Sequence, residues 1–447
     1  MAVPRGSLRS FLSRAKSALR SSISNKSPLT LVIGNESADL DSITCSILYA
    51  YLQSSAPTAG RQVRLHVPLL NIPRADIALR PELLALLPHA NVDADHLITL
   101  DDLPDLARIG SELPPDITRW ILVDHNALQG TLGSVYSKRV VGVIDHHDDE
   151  GKVPQDTGDE PRIITKSGSC TSLVTNYSRD AWDRLSTNAL SSGAAHGQDD
   201  SLADDSAVTT LWDAQVAHLA MASILIDTHD LTDENKTTDH DRKAVEYLAA
   251  KVNMSPRISK DFDRGMFFTK LSDAKRDVDS LSLTDILRKD YKQWSEGDQT
   301  LGMSSVVKPV DYLQRKASEA TTQQDGKVDV QVSERATTQQ DSKVDGAFMG
   351  AIKDFAAERN LDIFGIMTTF TADDGSFARE LLVISPSETG ATSVKKFVDN
   401  SSAELKLEEV DGRNEDKTLL RYWRQKNVSC SRKQVAPMLR KAMSMQQ

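Results

Sequence analysis

Acids and histidines stand at the ends of apolar runs three times in the first 150 residues. Leu29–Ile33 leads into Gly34-Asn35-Glu36-Ser37-Ala38-Asp39-Leu40-Asp41-Ser42, and Trp120–Val123 leads into Asp124-His125-Asn126. Val140–Ile144 leads into Asp145-His146-His147-Asp148-Asp149-Glu150. A fourth apolar stretch, Leu211–Ile226, delivers Asp227. Carboxylates with one or two imidazoles and no cysteine suit hard or borderline divalent ions such as Mg²⁺, Mn²⁺ or Co²⁺. So many acids in one crevice need cations to offset their repulsion. Two ions about 3.5–4 Å apart, sharing a carboxylate and a water, would clamp both oxygens of a phosphoryl displacement. The chemistry is therefore hydrolysis at phosphorus. Asp39 and Asp41 also fit as caps of the helix that follows, whose N-terminus favours negative charge. The recurrence of polar strand ends argues against capping alone.

The elements that must position these groups follow from the same pattern. Near-continuous apolar strands alternating with helices predict a parallel sheet covered on both faces, with its polar strand ends meeting on one edge. The fold class is α/β: a doubly wound, mainly parallel N-terminal domain and a smaller C-terminal α/β domain. Segments 63–70 and 96–100 read as further strands, 81–87 as a short helix, and 188–206 as a surface insertion. Helices are expected from Asp239 to about Trp294. ATTQQDGKVD at 320–329 recurs as ATTQQDSKVD at 336–345, a polar duplication expected to form a loop insertion over 318–346. A helix from Phe348 to Glu358, strands at 363–370 and 380–384, and a last helix starting near Ser431 complete the chain. The expected divisions are a basic segment 1–27, a metal-binding domain 28–238 and a phosphate-binding domain 239–447.

Bulk properties narrow the class. A chain of 447 residues exceeds one core, and a net charge of −11 argues against nucleic-acid binding. No apolar run reaches the ~20 residues needed to cross a bilayer. Three scattered cysteines, Cys45, Cys170 and Cys430, indicate a reducing compartment. Residues 417–441 nevertheless hold eight basic residues and no acid, a segment able to attract anions. Residues 1–27 hold six basic residues and no acid, as a mitochondrial presequence would. Leu8, Phe11, Leu12, Ala15 and Leu19 recur at helical spacing, and this favours an amphipathic helix lying on the first domain. The expected location is cytoplasmic, with the mitochondrion as the alternative.

Asp145-His146-His147 in this setting resembles the DHH phosphoesterase superfamily, and more closely its fungal-type exopolyphosphatase members. The resemblance runs in family order through Gly34–Ser42, Asn71–Arg74, Asp145–Glu150, Gly168–Val174, Ile226–Thr228, Lys289–Gln293, Gly302–Lys308 and Ser431–Pro437. It implies a two-metal exopolyphosphatase acting on inorganic polyphosphate, its C-terminal domain forming a lid over an interdomain active site. A monomer is expected. Asn35, Asp39 and Asp124 would line one metal site, and Asp41, Asp124, His146 and Asp227 the other. Asp41, Asp124 and His147 would be the catalytic groups. His147, Lys292, Lys308, Arg432 and Lys433 would face the phosphates, and His125 would orient a ligand or simply pack. Related family II pyrophosphatases carry histidine where this chain has Asn35, which makes the first site harder and favours polyphosphate over pyrophosphate. The alternatives are a pyrophosphatase, a small-nucleotide phosphodiesterase or an inactive scaffold. Every assigned ligand position carries a competent oxygen or nitrogen, which argues against the scaffold.

Overall fold

The computed structural model describes residues 5–55, 64–192, 202–324, 337–411, 414–415 and 418–444. These residues form two compact units, 1–275 and 276–447.

The first unit opens with α1 (Leu8–Asn25), capped by the Ser7 side chain, which accepts from the Ser10 amide. Leu8, Phe11, Leu12, Ala15 and Leu19 form its buried stripe, as the spacing predicts. Phe11 meets the Tyr51 ring edge-on at 5.5 Å, and Arg5 pairs with Asp213. The strands are β1 (Leu29–Ile33), β2 (His66–Leu69), β3 (Thr118–Val123), β4 (Val140–Asp145) and β5 (Arg162–Ile164). They form one sheet in the order β2-β1-β3-β4-β5, every neighbouring pair parallel. All five residues of β1 are buried, as a strand covered on both faces requires. Helices α2 (Leu40–Ser55), α3 (Pro81–Leu86), α4 (Ile109–Glu112) and α5 (Gly130–Tyr136) connect the strands. The long helices α6 (Cys170–Ser192), α7 (Leu202–Thr228), α8 (Asp239–Asn253) and α9 (Arg264–Arg276) follow the sheet. Strand order reverses between β1 and β3, so their carboxyl ends open a crevice where ligands bind in such sheets.

Three expectations change here. The segment 96–100 is not a strand: only Thr99 bridges to Leu70, between two short 3₁₀ turns. Unit 1 extends past residue 238, because Val245, Leu248 and Val252 of α8 and Phe267 and Leu271 of α9 are buried in its core. Part of the stretch 188–206 lies in α6 and α7, and 193–201 falls outside the described residues.

The second unit begins with α10 (Leu283–Lys289), followed by β6 (Tyr291–Glu296) and β7 (Gln299–Val306). The helix expected to run to Trp294 therefore ends at Lys289. Gly297, at φ 58°, lets the chain reverse into an antiparallel hairpin. Next come α11 (Val310–Gln324), α12 (Thr337–Glu358), β8 (Ile363–Thr368), β9 (Phe370–Thr371), β10 (Phe377–Ala378) and β11 (Glu380–Ser385). The unit closes with α13 (Glu388–Leu405), β12 (Leu407–Asp411), β13 (Asn414–Glu415), β14 (Thr418–Gln425) and α14 (Arg432–Ser444). The main sheet runs β12-β14-β11-β8-β7-β6, antiparallel except between β7 and β8. Apolar clusters cover both of its faces, one around Phe348, Phe355 and Phe364 and the other around Phe397, Trp423 and Leu439. The duplicated decapeptides are not wholly loop, since residues 320–324 end α11 and 337–345 begin α12. Residues 325–336 lie outside the described residues. Among the described residues no helix is long and apolar enough to cross a membrane.

Candidate metal centre

The turn after β1 is tight for a steric reason. A Cβ on Gly34 would lie 2.6 Å from Ser42 Cβ and 3.0 Å from its carbonyl oxygen, so glycine lets α2 start directly over the strand end. Ala38 has φ 40°, a left-handed conformation that costs a side-chain-bearing residue roughly 1–2 kcal/mol. The buried guanidinium of Arg80 holds it there, donating from Nε to Ala38 O at 2.6 Å and from Nη1 to Asp76 O at 2.7 Å, and from Nη2 to Ser37 O. Asn71 Nδ2 donates to Gly34 O at 3.2 Å on the other flank.

Asp124, one residue beyond β3, has φ 60° and is buried. Its backbone amide donates to Ile144 O at 3.0 Å. Its Oδ2 accepts from Ser42 Oγ at 2.7 Å and from Asn35 Nδ2 at 2.8 Å. Its Oδ1 lies 3.1 Å from His146 Nε2 and 3.8 Å from His147 Nδ1. Asp124, His146 and His147 are the cluster that brings three such ligand atoms within 4.8 Å of one another among the described residues. His146 Nδ1 donates to Ser167 O at 3.0 Å, which turns the lone pair of its Nε2 toward Asp124. Two lone pairs at that separation repel unless a proton or a cation lies between them. Asp124 and His146 together offer a carboxylate oxygen and one imidazole nitrogen, donors that hard and borderline divalent ions accept.

Asp145 is fully buried beneath the histidines. Its Oδ1 accepts from His147 Nδ1 at 2.7 Å and from the His146 amide at 2.7 Å, and Oδ2 from Asn126 Nδ2 at 2.6 Å. Burial alone would push this carboxyl up, but the hydrogen bond and charge of His147 outweigh it and hold Asp145 at about 2. The His147 ring is thereby fixed with Nε2 on the side away from Asp145.

The other expected ligands are placed differently. Asp39 Oδ1 accepts from the Ser42 amide at 3.0 Å, as a helix cap does, and Asp39 is half-buried. Asn35 turns its amide nitrogen to Asp124, while its Oδ1 accepts from Ser37 N at 3.0 Å and Ser37 Oγ at 2.6 Å. Asp41 is buried on α2, with Oδ1 accepting from Ser169 Oγ, Thr171 N and Thr171 Oγ1 and Oδ2 from Cys170 N at 2.7 Å. Asp227 sits half-buried in the last turn of α7, before three consecutive left-handed residues, His229, Asp230 and Leu231. Asp39, Asp41 and Asp227 are outside the 4.8 Å cluster. His125 Nδ1 lies 3.0 Å from Val123 O and is only half-buried.

In the second unit, Lys292 is the second residue of β6 and Lys308 follows β7, at the end of the hairpin where Tyr291 pairs with Ser304. Arg432, the first residue of α14, reaches the same corner by donating to Asp290 O at 2.7 Å and Asp290 Oδ1 at 2.6 Å. Lys433 beside it is exposed. Lys308 Nζ lies 3.7 Å from Asp279 Oδ1 and 5.0 Å from the centre of the Tyr312 ring. Arg432 thus carries a carboxylate on its fork, which the sequence did not suggest. Ser42, Ser167 and Arg80 also escaped a reading from sequence, and Asp145 was legible as part of its tripeptide without a role.

Family models match in two places, the DHH family N-terminal domain over residues 30–195 and the DHHA2 domain over 269–442. A Schizosaccharomyces pombe protein named "Putative exopolyphosphatase" is 32% identical over 421 residues, covering 94% of this chain and 92% of its own length. "Exopolyphosphatase PRUNE1" of Mus musculus is 26% identical over 427 residues, covering 95% of this chain and 78% of its own. Among solved structures, the "Methanococcus jannaschii putative family II inorganic pyrophosphatase" aligns with a TM-score of 0.53 at 17% identity, over 93% of this chain and 99% of that one. That last likeness concerns the fold.

Proposed function

The chain belongs to the DHH family of phosphoesterases and carries a DHHA2 domain, and on that premise we propose that it is a metal-dependent exopolyphosphatase. It hydrolyses phosphoanhydride bonds, releasing terminal phosphate from linear inorganic polyphosphate. The observation that carries this reading is the approach of His146 Nε2 to Asp124 Oδ1 at 3.1 Å with His146 Nδ1 already committed to Ser167. Such a pair is built to share a cation.

Asp124, His146 and Asp227, with the remaining lone pair of Asp41 Oδ2, would hold one ion. Asp124 and Asp39 would hold a second, joined by Asn35 once its amide turns its oxygen inward. Divalent ions held there supply charge neutralisation and acidify water for attack on phosphorus. The chain's own groups do the rest. Asp145 orients His147 and stabilises its charged form, so His147 contacts the terminal phosphate and hands a proton toward the leaving oxygen. Lys292, Lys308, Arg432 and Lys433 would take the phosphates farther along the chain, Arg432 through the bidentate fork that suits phosphate. Arg432 would exchange Asp290 for substrate. Mn²⁺ or Mg²⁺ are the favoured ions, and a monomer in the cytoplasm is the expected setting.

The test is phosphate release from tripolyphosphate, longer polyphosphate and pyrophosphate with Mg²⁺, Mn²⁺ and Co²⁺, for the wild type and Asp124→Asn. Metal-dependent release that falls to background in the variant supports the reading. Release without added metal, or release retained by Asp124→Asn, would overturn it.

A further inference from the structure

Asp241 lies on the first turn of α8, beyond the boundary that the sequence suggests for the metal-binding domain, and it is fully buried. Its Oδ1 accepts from Ser167 Oγ at 3.0 Å, Ser169 N at 3.1 Å and Ser172 Oγ at 2.6 Å. Its Oδ2 accepts from Gly168 N at 2.9 Å, and from Thr238 N and Thr238 Oγ1, both at 2.7 Å. The bond from the Thr238 amide is one arm of the capping box of α8, and that alone would be a local role. The other four bonds all go to the segment that leads into α6.

That segment touches two expected ligands of one ion and the neighbour of a third. Its Ser167 carbonyl accepts from His146 Nδ1 at 3.0 Å and so sets the direction of His146 Nε2. Its Ser169, Cys170 and Thr171 supply the donors that bind the Asp41 carboxylate. Its Gly168 packs so closely on the end of α7 that a Cβ would lie 2.6 Å from Thr228 Cγ2, and Thr228 adjoins Asp227. The same Cβ would lie 2.9 Å from Asp241 Oδ2. Ser169 is held from two sides, its amide by Asp241 and its hydroxyl by Asp41 at 2.6 Å.

We infer that Asp241 is a positioning residue of the metal centre: by clamping Ser167–Ser172 it fixes His146, Asp41 and the end of α7 that carries Asp227. This rests on the metal-dependent reading given above. Removing such outer support from a metal site lowers metal affinity by roughly 10–100-fold. An isosteric Asp241→Asn places an amide where six donors converge, so at least one of them loses its acceptor. Ser172→Ala removes a single donor from the clamp and leaves the site's own groups in place. Thr238→Ala removes the capping hydroxyl and leaves all four bonds to the segment.

The experiment is direct titration of Mn²⁺ into the full-length protein, followed by the paramagnetic signal of free Mn²⁺, alongside melting temperature and steady-state kinetics with tripolyphosphate. Asp241→Asn should weaken one class of Mn²⁺ site roughly 10–100-fold. Its kcat should recover as Mn²⁺ is raised, with KM for tripolyphosphate little changed. Ser172→Ala should shift Mn²⁺ affinity the same way by a smaller factor, and serves if Asp241→Asn does not fold. Thr238→Ala should lower the melting temperature and leave Mn²⁺ binding at the wild-type level. Wild-type Mn²⁺ affinity in Asp241→Asn, or in Ser172→Ala if it stands alone, would reduce Asp241 to a helix cap and leave the function reading intact. A wild type that takes up no Mn²⁺ would instead overturn that reading, and this inference with it.

Discussion

Asn35 Nδ2 donates to Asp124 Oδ2 across 2.8 Å, joining the turn after β1 to the end of β3 at the reversal of strand order. The amide presents nitrogen to the carboxylate, and its oxygen is held by Ser37. A neutral amide therefore satisfies the buried acid in a place where an imidazole would bring a metal-seeking nitrogen.

Asn35→His should move metal preference from Mg²⁺ toward Mn²⁺ or Co²⁺, because imidazole nitrogen is a softer ligand than an amide oxygen. Pyrophosphate hydrolysis relative to tripolyphosphate should rise with it. Titrating each metal against both proteins with both substrates checks this. An identical metal ranking would remove Asn35 from the ligands.

Arg432→Ala with Lys433→Ala should raise KM for polyphosphate by about tenfold or more, two charge-assisted phosphate contacts being lost. The dependence of KM on salt should flatten as well. Stability should change by no more than about 1 kcal/mol, the Arg432–Asp290 pair being only partly buried. Steady-state kinetics at several salt concentrations decide it. Unchanged KM and salt dependence would leave Arg432 with no task beyond bracing Asp290.

Acid should destabilise the first unit through His218. Burial among Phe262, Phe267 and His89, with the charge of His89 acting the same way, pushes the His218 imidazole down to about 4 from 6.5. The folded state holds it neutral, so the unfolded chain takes up the proton first. The stability it contributes is present above pH 6.5 and drains away as pH falls toward 4, on the order of 3 kcal/mol in all. His66, also held at about 4 by burial, acts in the same direction. Urea melts from pH 7 to 4 should show the loss, and His218→Phe should flatten part of it. An equal slope in the variant would exclude His218 as a source.

Deleting residues 1–26 should leave a chain that does not fold stably. Leu8, Phe11, Leu12 and Leu19 are each at most 1% exposed. At roughly 1.5–3 kcal/mol apiece their burial is comparable to the 5–15 kcal/mol by which proteins are stable. Arg5 would also leave Asp213 with one partner fewer. Circular dichroism and melting temperature of the truncated chain test this. A truncated protein that melts like the full chain would restore a removable leader as the reading of these residues.

What the sequence determined by itself was local. Leu29–Leu52 reads as strand, turn and helix because four apolar residues with a threonine, then a glycine and two acids, precede an apolar helical pattern, and β1 and α2 fall there. Asp124, His146 and His147 were legible because each follows an apolar run, and a parallel sheet brings the ends of such runs to one edge. The α1 stripe was legible in the same way, from its spacing. Tertiary structure alone decided the rest. Tyr291–Glu296 forms a strand because it pairs with β7 across a turn at Gly297, a partnership that the apolar pattern of 283–294 does not carry. Asp241 shows only a cap in the sequence, with Thr238 three residues before it. Its bonds to Ser167 and Ser172 reach across 74 and 69 residues, and its neighbours in the chain give no sign of them. A buried carboxylate takes its donors from whatever the packed helices bring against it, so its role becomes readable only once α8 lies against α6.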